Sequence, residues 1–338
     1  ESGRILRDNV WGTHAEDAAR RDFTINAMYY DPASETVLDY HGGMGDIRSK
    51  TIRMIGNPTK RYREDPVRML RAIRFAAKTG FQIEPKTLAP IHELGQLIHD
   101  VPSARLFDEI LKLLMSGHAW AGIQALRHAN LHHGLLPFMA RALEDPQAAQ
   151  FIEEALRNTD ERIQMGKSVS PGFLFAALLW PDLEKEWQVL RNTGMPAVAA
   201  LHAAIDTVVS PSHTGITIQR RHEGDMRDIW TMQPRFEKRV GRYPDRLVEV
   251  PRFRAGYDFM LLRSQTGYCK PSLGQWWTDF YHADLPQREA LLATAKLEDI
   301  DSGQTPSNSN RKRRRRPKKT KPGPAIQPDS GLNGAKQN

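Results

Sequence analysis

Two short stretches carry the side chains that could do chemistry. The first is Arg20 to Ala27 (RRDFTINA), two guanidiniums and a carboxylate ahead of an apolar run. A guanidinium fork matches the oxygens of a phosphate, and a carboxylate can bind a ribose hydroxyl or lie beside a metal. A surface ion pair leading into a buried strand would account for the same charges. The second stretch is Arg61 to Arg74 (RYREDPVRMLRAIR), in which Arg68, Arg71 and Arg74 recur at every third position. At about 100° per residue each step falls back by about 60°, so the three form an inclined ridge across one side of a helix. Val67, Leu70, Ile73 and Ala77 run beside the ridge and can face a core. Three arginines with few acids between them repel one another, which suits an anionic ligand. The plainer alternative is a solvated face tied by Glu64 to Arg68, an i,i+4 pair worth on the order of 0.2–0.5 kcal/mol. Asp65 has a plain role too, as an N-cap carboxylate accepting from the N–H of Arg68.

The elements that must position these residues are readable from pattern and punctuation. Phe23 to Asp31 is rich in β-branched and aromatic residues and reads as a strand. Thr36 to Tyr40 and Thr51 to Ile55 are two more short candidates, with a glycine turn from Gly42 to Asp46 between them. Asp65-Pro66 opens a helix that runs to Ala77 and ends near Gly80. From there the chain reads as helices joined by proline and glycine. In Ser103 to Gly117, Leu106, Phe107, Ile110, Leu111 and Leu114 make one apolar stripe at helical spacing. Further helices are predicted at 119–130, 147–157, 171–192, 196–209, 223–233, 252–264, 272–283 and 286–297. No repeat of fixed period is present. The fold class is α+β: a mixed α/β beginning followed by an all-helical remainder.

In this order, the motifs resemble those of the class II nucleotidyltransferases, the family of bacterial tRNA CCA-adding enzymes and poly(A) polymerases. RRDFTINA is followed by a D-x-x-GG-x-x-D-like turn (Asp39, Gly42, Gly43, Asp46) and then by IG-x-x-x-x-R-x-x-EDxxRxxRAxRF. The match is strong over roughly residues 7 to 81 and loose beyond. The resemblance implies that Asp22 completes the catalytic acidic set and that Arg21 contacts the nucleotide. It implies that Asp65 and Arg68 read the base edge, the carboxylate accepting from an exocyclic amine while the guanidinium donates to ring acceptors. Arg71 and Arg74 match further nucleotide-contacting positions. It also implies ATP as substrate, Mg2+ as cofactor, RNA 3′ ends as partner, and a four-part organisation. Residues 1–60 would be the C-terminal part of a nucleotidyltransferase head, 61–130 a helical neck, 131–300 a helical RNA-binding body and 301–338 a basic tail. The family's Gly-rich loop and its magnesium-binding Asp-x-Asp do not precede Arg20, so the expectation is an N-terminally truncated chain that is inactive by itself. The one Asp-x-Asp string, Asp299-Ile300-Asp301, has no Gly loop or strand context and reads as a solvated run.

Charge separates the branches. The 338 residues carry +8, but residues 301–338 hold ten basic and two acidic side chains, which leaves residues 1–300 neutral. That tail is Ser-, Asn-, Gly- and Pro-rich and reads as disordered; RKRRRRPKK neutralises phosphates without selecting sequence. Such a tail, with Leu6 to Thr13, resembles the poly(A) polymerase branch, so the expected reaction is AMP transfer from ATP to RNA 3′ ends. CCA addition to tRNA is the alternative within the class, and a non-catalytic RNA-binding protein the alternative outside it. The longest apolar run, Phe173 to Trp180, is far short of a membrane span. The lone Cys269 excludes an internal disulfide framework and a Cys-based zinc site, and fits the cytoplasm. His132-His133 lacks a nearby third ligand, and for Trp180, Trp276 and Trp277 core packing is the default. Arg220-Arg221 and Arg235 to Arg242 are basic patches suited to an RNA backbone.

Overall fold

A computed structural model describes residues 12–301. Of the stretch Leu6 to Thr13, residues 6–11 fall outside those residues, as does the tail beyond Asp301. The chain is α+β. Strands β1 (Met28–Asp31) and β2 (Thr36–Asp39) form an antiparallel hairpin with Met28 opposite Asp39. β3 (Thr51–Ile52) pairs in parallel with β4 (Gln82–Ile83). Around them lie helices α1 (His14–Arg20), α2 (Gly43–Arg48), α3 (Pro58–Glu64), α4 (Val67–Thr79), α5 (Pro85–Leu94), α6 (Ser103–Leu114) and α7 (Ala119–His128). The rest is helical: α8 (His132–Leu135), α9 (Pro137–Ala142), α10 (Pro146–Gln164), α11 (Pro171–Asn192), α12 (Ala197–Val208), α13 (Pro211–Thr214) and α14 (Arg220–Met232). The series ends with α15 (Tyr243–Val248), α16 (Phe253–Gln265), α17 (Pro271–His282) and α18 (Leu285–Asp301).

The expected first strand is corrected. Phe23 makes only an isolated bridge to Met54, and Thr24–Asn26 turns into a 3-10 helix before β1 begins. The glycine turn is also more than a turn, because Gly43–Arg48 is helical. Gly42 enters it at φ 76°, a left-handed conformation glycine adopts without penalty. The Asp39 carboxylate accepts from the N–H groups of Gly43 and Met44, each at 2.9 Å, and so caps α2. Gly43 has a different reason to be glycine. A Cβ there would stand 2.4 Å from the carbonyl oxygen of Thr24.

Most helices follow their punctuation, but the one expected at 147–157 runs on as α10 to Gln164. α4 stops at Gly80, φ 71°. It buries Val67, Met69, Leu70, Ala72 and Ile73 because α6 and α7 pack on two of its sides. The apolar run in α11 is buried all round, Leu174 through Trp180 being at most 1% exposed. That is the pattern of a central core helix, and no helix among the described residues is long and apolar enough to cross a membrane. The principal core is continuous from Phe23 to Leu262. A second core gathers Phe236, Phe253, Trp276, Trp277 and Phe280. Trp277 donates to the carbonyl of Phe236 at 2.8 Å, so the paired tryptophans pack inward as expected.

Gly43→Ala tests the tight approach of α2 to Thr24. It should lower stability by about 1–3 kcal/mol, the cost of overpacking, read as a lower midpoint of thermal unfolding. An unchanged midpoint would show that the contact yields.

Candidate functional site

Asp22 and Arg71 bring the two motif stretches together. Arg71 Nε donates to Asp22 Oδ2 at 2.6 Å across 49 residues of sequence. The other oxygen of Asp22 accepts from the N–H of Phe23 at 2.9 Å, and the residue is 7% exposed. Phe23 then meets Phe75 of α4 edge-on at 5.8 Å, and the guanidinium of Arg74 lies 4.4 Å over the same Phe75 ring. Backbone bonds hold the first motif from its other side: Thr24 N–H to the Arg53 carbonyl and Ile55 N–H to the Asp22 carbonyl.

The glycine-helix motif completes that support. Asp46 is buried and accepts from the Thr24 hydroxyl at 2.7 Å and from Arg53 Nε at 3.0 Å. Arg53 in turn pairs with Glu84. Asp39 and Asp46 therefore act within the fold, one capping α2 and one fixing Thr24. Burial works to raise the Asp39 carboxyl, but backbone N–H donors from Met44, Gly43 and His41 outweigh it and hold the group below its ordinary value.

The arginine ridge is compensated by carboxylates. Glu109 of α6 is 6% exposed. Its oxygens lie 3.7 Å from Arg71 Nη1, 3.5 Å from Arg74 Nε and 2.7 Å from Lys112 Nζ. Sequence reasoning missed Glu109. Its signal was present: it stands at helical spacing between buried Leu106 and Leu113, a carboxylate on an apolar stripe. Burial pushes the Arg74 guanidinium below its ordinary value, opposed by Glu109. Arg68, with its side chain 17% exposed, donates to Glu64 at 3.3 Å and to the Arg61 carbonyl at 3.0 Å. Arg61 reaches back and donates to the carbonyls of Arg20 and Arg21 at 2.8 and 2.6 Å.

Asp65 does not cap α4 with its side chain. The N–H of Arg68 bonds to the backbone carbonyl of Asp65 at 3.1 Å, and the carboxylate pairs instead with Arg105 of α6 at 3.0 Å. Pro66, not Asp65, stands at the N-cap position of α4, and no side chain caps it. Arg21 turns elsewhere as well. Its guanidinium pairs with Asp17 at 2.9 Å, and Asp17 is also hydrogen-bonded by Tyr29. The structure thus joins Asp22, Arg71 and Arg74 through direct contacts and Glu109, ties Arg68 to the first motif through Arg61, and sets Arg21 and Asp65 on separate ion pairs.

Among the described residues no three His, Cys, Asp or Glu side chains come together to hold a metal. Both oxygens of Asp22 are already hydrogen-bonded. These residues by themselves do not make the magnesium site that the resemblance implies.

Comparison with known proteins agrees with the motif order. Residues 4–53 match the poly A polymerase head domain family, 80–143 the probable RNA and SrmB- binding site of polymerase A, and 193–320 the polymerase A arginine-rich C-terminus. Poly(A) polymerase I of Salmonella typhi is 42% identical over 298 residues, 86% of this chain and 64% of that protein. Poly(A) polymerase I of Escherichia coli O6:H1 is 41% identical over 318 residues, 92% of this chain and 67% of that protein. This chain therefore spans about two thirds of their length. The CCA-adding enzyme of Limosilactobacillus fermentum is 42% identical over only 35% of this chain. A solved structure titled tRNA-processing enzyme (apo form 2) superposes with a TM-score of 0.53 at 18% identity, covering 84% of this chain and 76% of that one. That similarity shows the shared fold.

Two outcomes are expected here. Glu109→Gln leaves the partly buried Arg71 and Arg74 facing a neutral amide and should cost about 1–3 kcal/mol in urea unfolding; a loss below about 0.5 kcal/mol would mean that solvent already screens the cluster. Asp39 titrates lower in the folded than in the unfolded chain, so its contribution is present above the ordinary carboxylate value and is lost as pH falls through the folded one. The midpoint gap between the parent chain and Asp39→Asn should therefore close on acidification below about pH 4; a constant gap would refute the assignment.

Proposed function

The chain belongs to the poly(A) polymerase family of nucleotidyltransferases, and from that premise we propose that it serves a template-independent RNA adenylyltransferase, which transfers AMP from ATP to RNA 3′ ends. The observation that carries the reading is the 2.6 Å pair of Asp22 with Arg71. It ties the RRDFTINA motif to α4, which bears Arg68, Arg71 and Arg74 and starts just after Asp65; in this reading these groups meet one nucleotide.

In this reading residues 1–60 belong to the head, 61–130 to the neck, 131–300 to an RNA-binding body and 301–338 to a basic tail. Asp65 and Arg68 test the base: the carboxylate accepts from the exocyclic amine of adenine and the guanidinium donates to a ring acceptor. Arg21, Arg71 and Arg74 meet the sugar and phosphates, for which planar guanidinium forks are suited. Asp22 is proposed as the acidic residue at the reacting end, oriented by Arg71. Magnesium supplies electrostatic stabilisation to phosphoryl transfer when bound; the work assigned to these residues is binding and orientation. A cytoplasmic location accords with a chain that has one cysteine and is read as acting on RNA.

Titration of the chain with ATP, CTP, GTP and UTP separately tests this, with heat of binding as the readout. ATP should bind most tightly, and Arg68→Ala should weaken ATP by about tenfold, the cost of about 1.4 kcal/mol of base contact, and erase the preference. Comparable binding of CTP and ATP would favour the CCA-adding alternative. Equal binding of all four would leave the Asp65–Arg68 pair without a reading role.

A further inference from the structure

Arg61 directs its charge chiefly at main-chain oxygens. Its Nη2 donates to the carbonyl of Arg20 at 2.8 Å and to that of Arg21 at 2.6 Å, 41 and 40 residues earlier in the chain. Its Nη1 lies 3.3 Å from Glu64, and its Nε is buried with no hydrogen-bond partner. The side chain is 16% exposed. Burial pushes the guanidinium below its ordinary value, and the neighbouring Arg68 adds to that effect. A cation held this way against neutral carbonyls is costly unless those carbonyls need it.

They do. Helix α1 ends at Arg20, and the last carbonyls of a helix have no partner inside it. No glycine closes this end: Arg21 is extended, with φ −62° and ψ 164°. A guanidinium arriving from α3 satisfies the exposed carbonyls and meets the negative end of the helix dipole. The apolar support of α1 is small, Ala18 packing with Ala27 and Ile55. Arg61 itself springs from a firm base. The next residue, Tyr62, is 0% exposed and donates to the Thr87 carbonyl at 3.0 Å, and Asn57 caps α3 by accepting from Lys60 N–H.

The two peptide units so held flank Arg21, and the second carries the N–H of Asp22. The clamp thus fixes the directions in which both side chains leave the backbone. Arg71 holds the Asp22 carboxylate, which does not by itself set the main chain behind it. Arg68 uses a different part of Arg61: its Nη1 donates to the Arg61 carbonyl at 3.0 Å. The side chain of Arg61 serves the first motif, and its main chain serves Arg68.

We propose that Arg61 is a positioning residue for the reacting end of the nucleotide site, its guanidinium setting the backbone at Arg21 and Asp22 while the choice of base stays with Arg68. The inference rests on the function proposed above. It deepens that reading by separating the residue that orients the sugar and phosphate contacts from the one that selects the base.

The test uses the whole 338-residue chain, with heats of binding for the four nucleoside triphosphates and amide hydrogen exchange read by mass spectrometry. Arg61→Met removes both carbonyl bonds and keeps the main chain that Arg68 uses. It should weaken ATP, CTP, GTP and UTP alike, each by about tenfold, the size of one charge-assisted hydrogen bond. The ratio of ATP to CTP affinity should stay within about twofold of the parent's. Exchange of residues 18–23 should quicken by about tenfold while α11 keeps the parent's rates. Arg61→Lys, whose ammonium can donate to both carbonyls, should recover most of the affinity. Nucleotide affinity equal to the parent's in Arg61→Met overturns the proposal. Loss of the ATP preference along with affinity overturns it too, because it would place Arg61 at the base. Faster exchange throughout α11 would make the residue a support of the whole fold, and Arg61→Lys no better than Arg61→Met would mean that donation to the carbonyls is not what matters; either result sinks the idea. A parent chain that binds none of the four nucleotides defeats the function proposed above and this inference with it. A parent that prefers ATP beside an Arg61→Met chain that binds equally well defeats the inference alone.

Discussion

The packing of the first motif, α4 and α6 depends on the compensation of partly buried arginine charge. Withdrawing a guanidinium from water costs several kcal/mol unless a carboxylate stands close by. The Arg74 side chain is 12% exposed and that of Arg71 31%, so α4 can take its place only where anions meet them. Asp22 comes from the start of the chain and Glu109 from α6. Their ion pairs cross-link the first motif, α4 and α6. Like charges three residues apart on one helix would otherwise disfavour the ridge. The ridge persists because its counter-charges arrive from elements far away in sequence, and the order of the motifs is the mechanical consequence.

Asp22 can serve as a counter-charge only if its backbone is held. The glycine-bearing helix α2 supplies that hold by approaching the Thr24 carbonyl as closely as only glycine permits, while Asp46 takes the Thr24 hydroxyl. Arg53 then carries the connection through Asp46 to Glu84, beside the parallel pair β3–β4. The D-x-x-GG-x-x-D turn is thus a brace. It needs short contacts and small atoms, which Gly43 supplies against the Thr24 carbonyl. The two-residue β3–β4 ladder is too short to be stable by itself; the arginine and carboxylate contacts and the Phe23–Phe75 packing supply what it lacks.

Much of this was legible in the sequence, and the misreadings share a cause. Helices from α4 onward were marked by proline, glycine and apolar spacing, which are local signals; 171–192 agrees with α11 at both ends. The strand predicted from Phe23 failed because the 3-10 turn at Thr24 is imposed by α2, which sequence propensity does not contain. Asp65 was read as a cap because capping is local, yet its carboxylate answers Arg105 from forty residues away. Glu109 escaped because a carboxylate on an apolar stripe reads as an interruption until the arginines it faces are known. The motifs could name the arginines of the site; they could not name the carboxylates that make burying them tolerable.

The near-zero charge of residues 1–300 therefore conceals two ways of keeping a cation. On α4, carboxylates neutralise the arginines, so little field extends into solvent and recognition has to come from contact geometry at short range. Under the proposed function, a ligand phosphate there would have to replace a carboxylate contact, which penalises any anion whose oxygens do not fit. On the segment from Arg235 to Arg246, Lys238 lies over the Tyr243 ring, whose hydroxyl accepts from Arg235, while Arg242 and Arg246 are exposed. Exposed charges act over about a Debye length and weaken with salt. Pairing with acids and exposure to water are opposite ways of keeping a cation, and a neutral sum hides the difference between them.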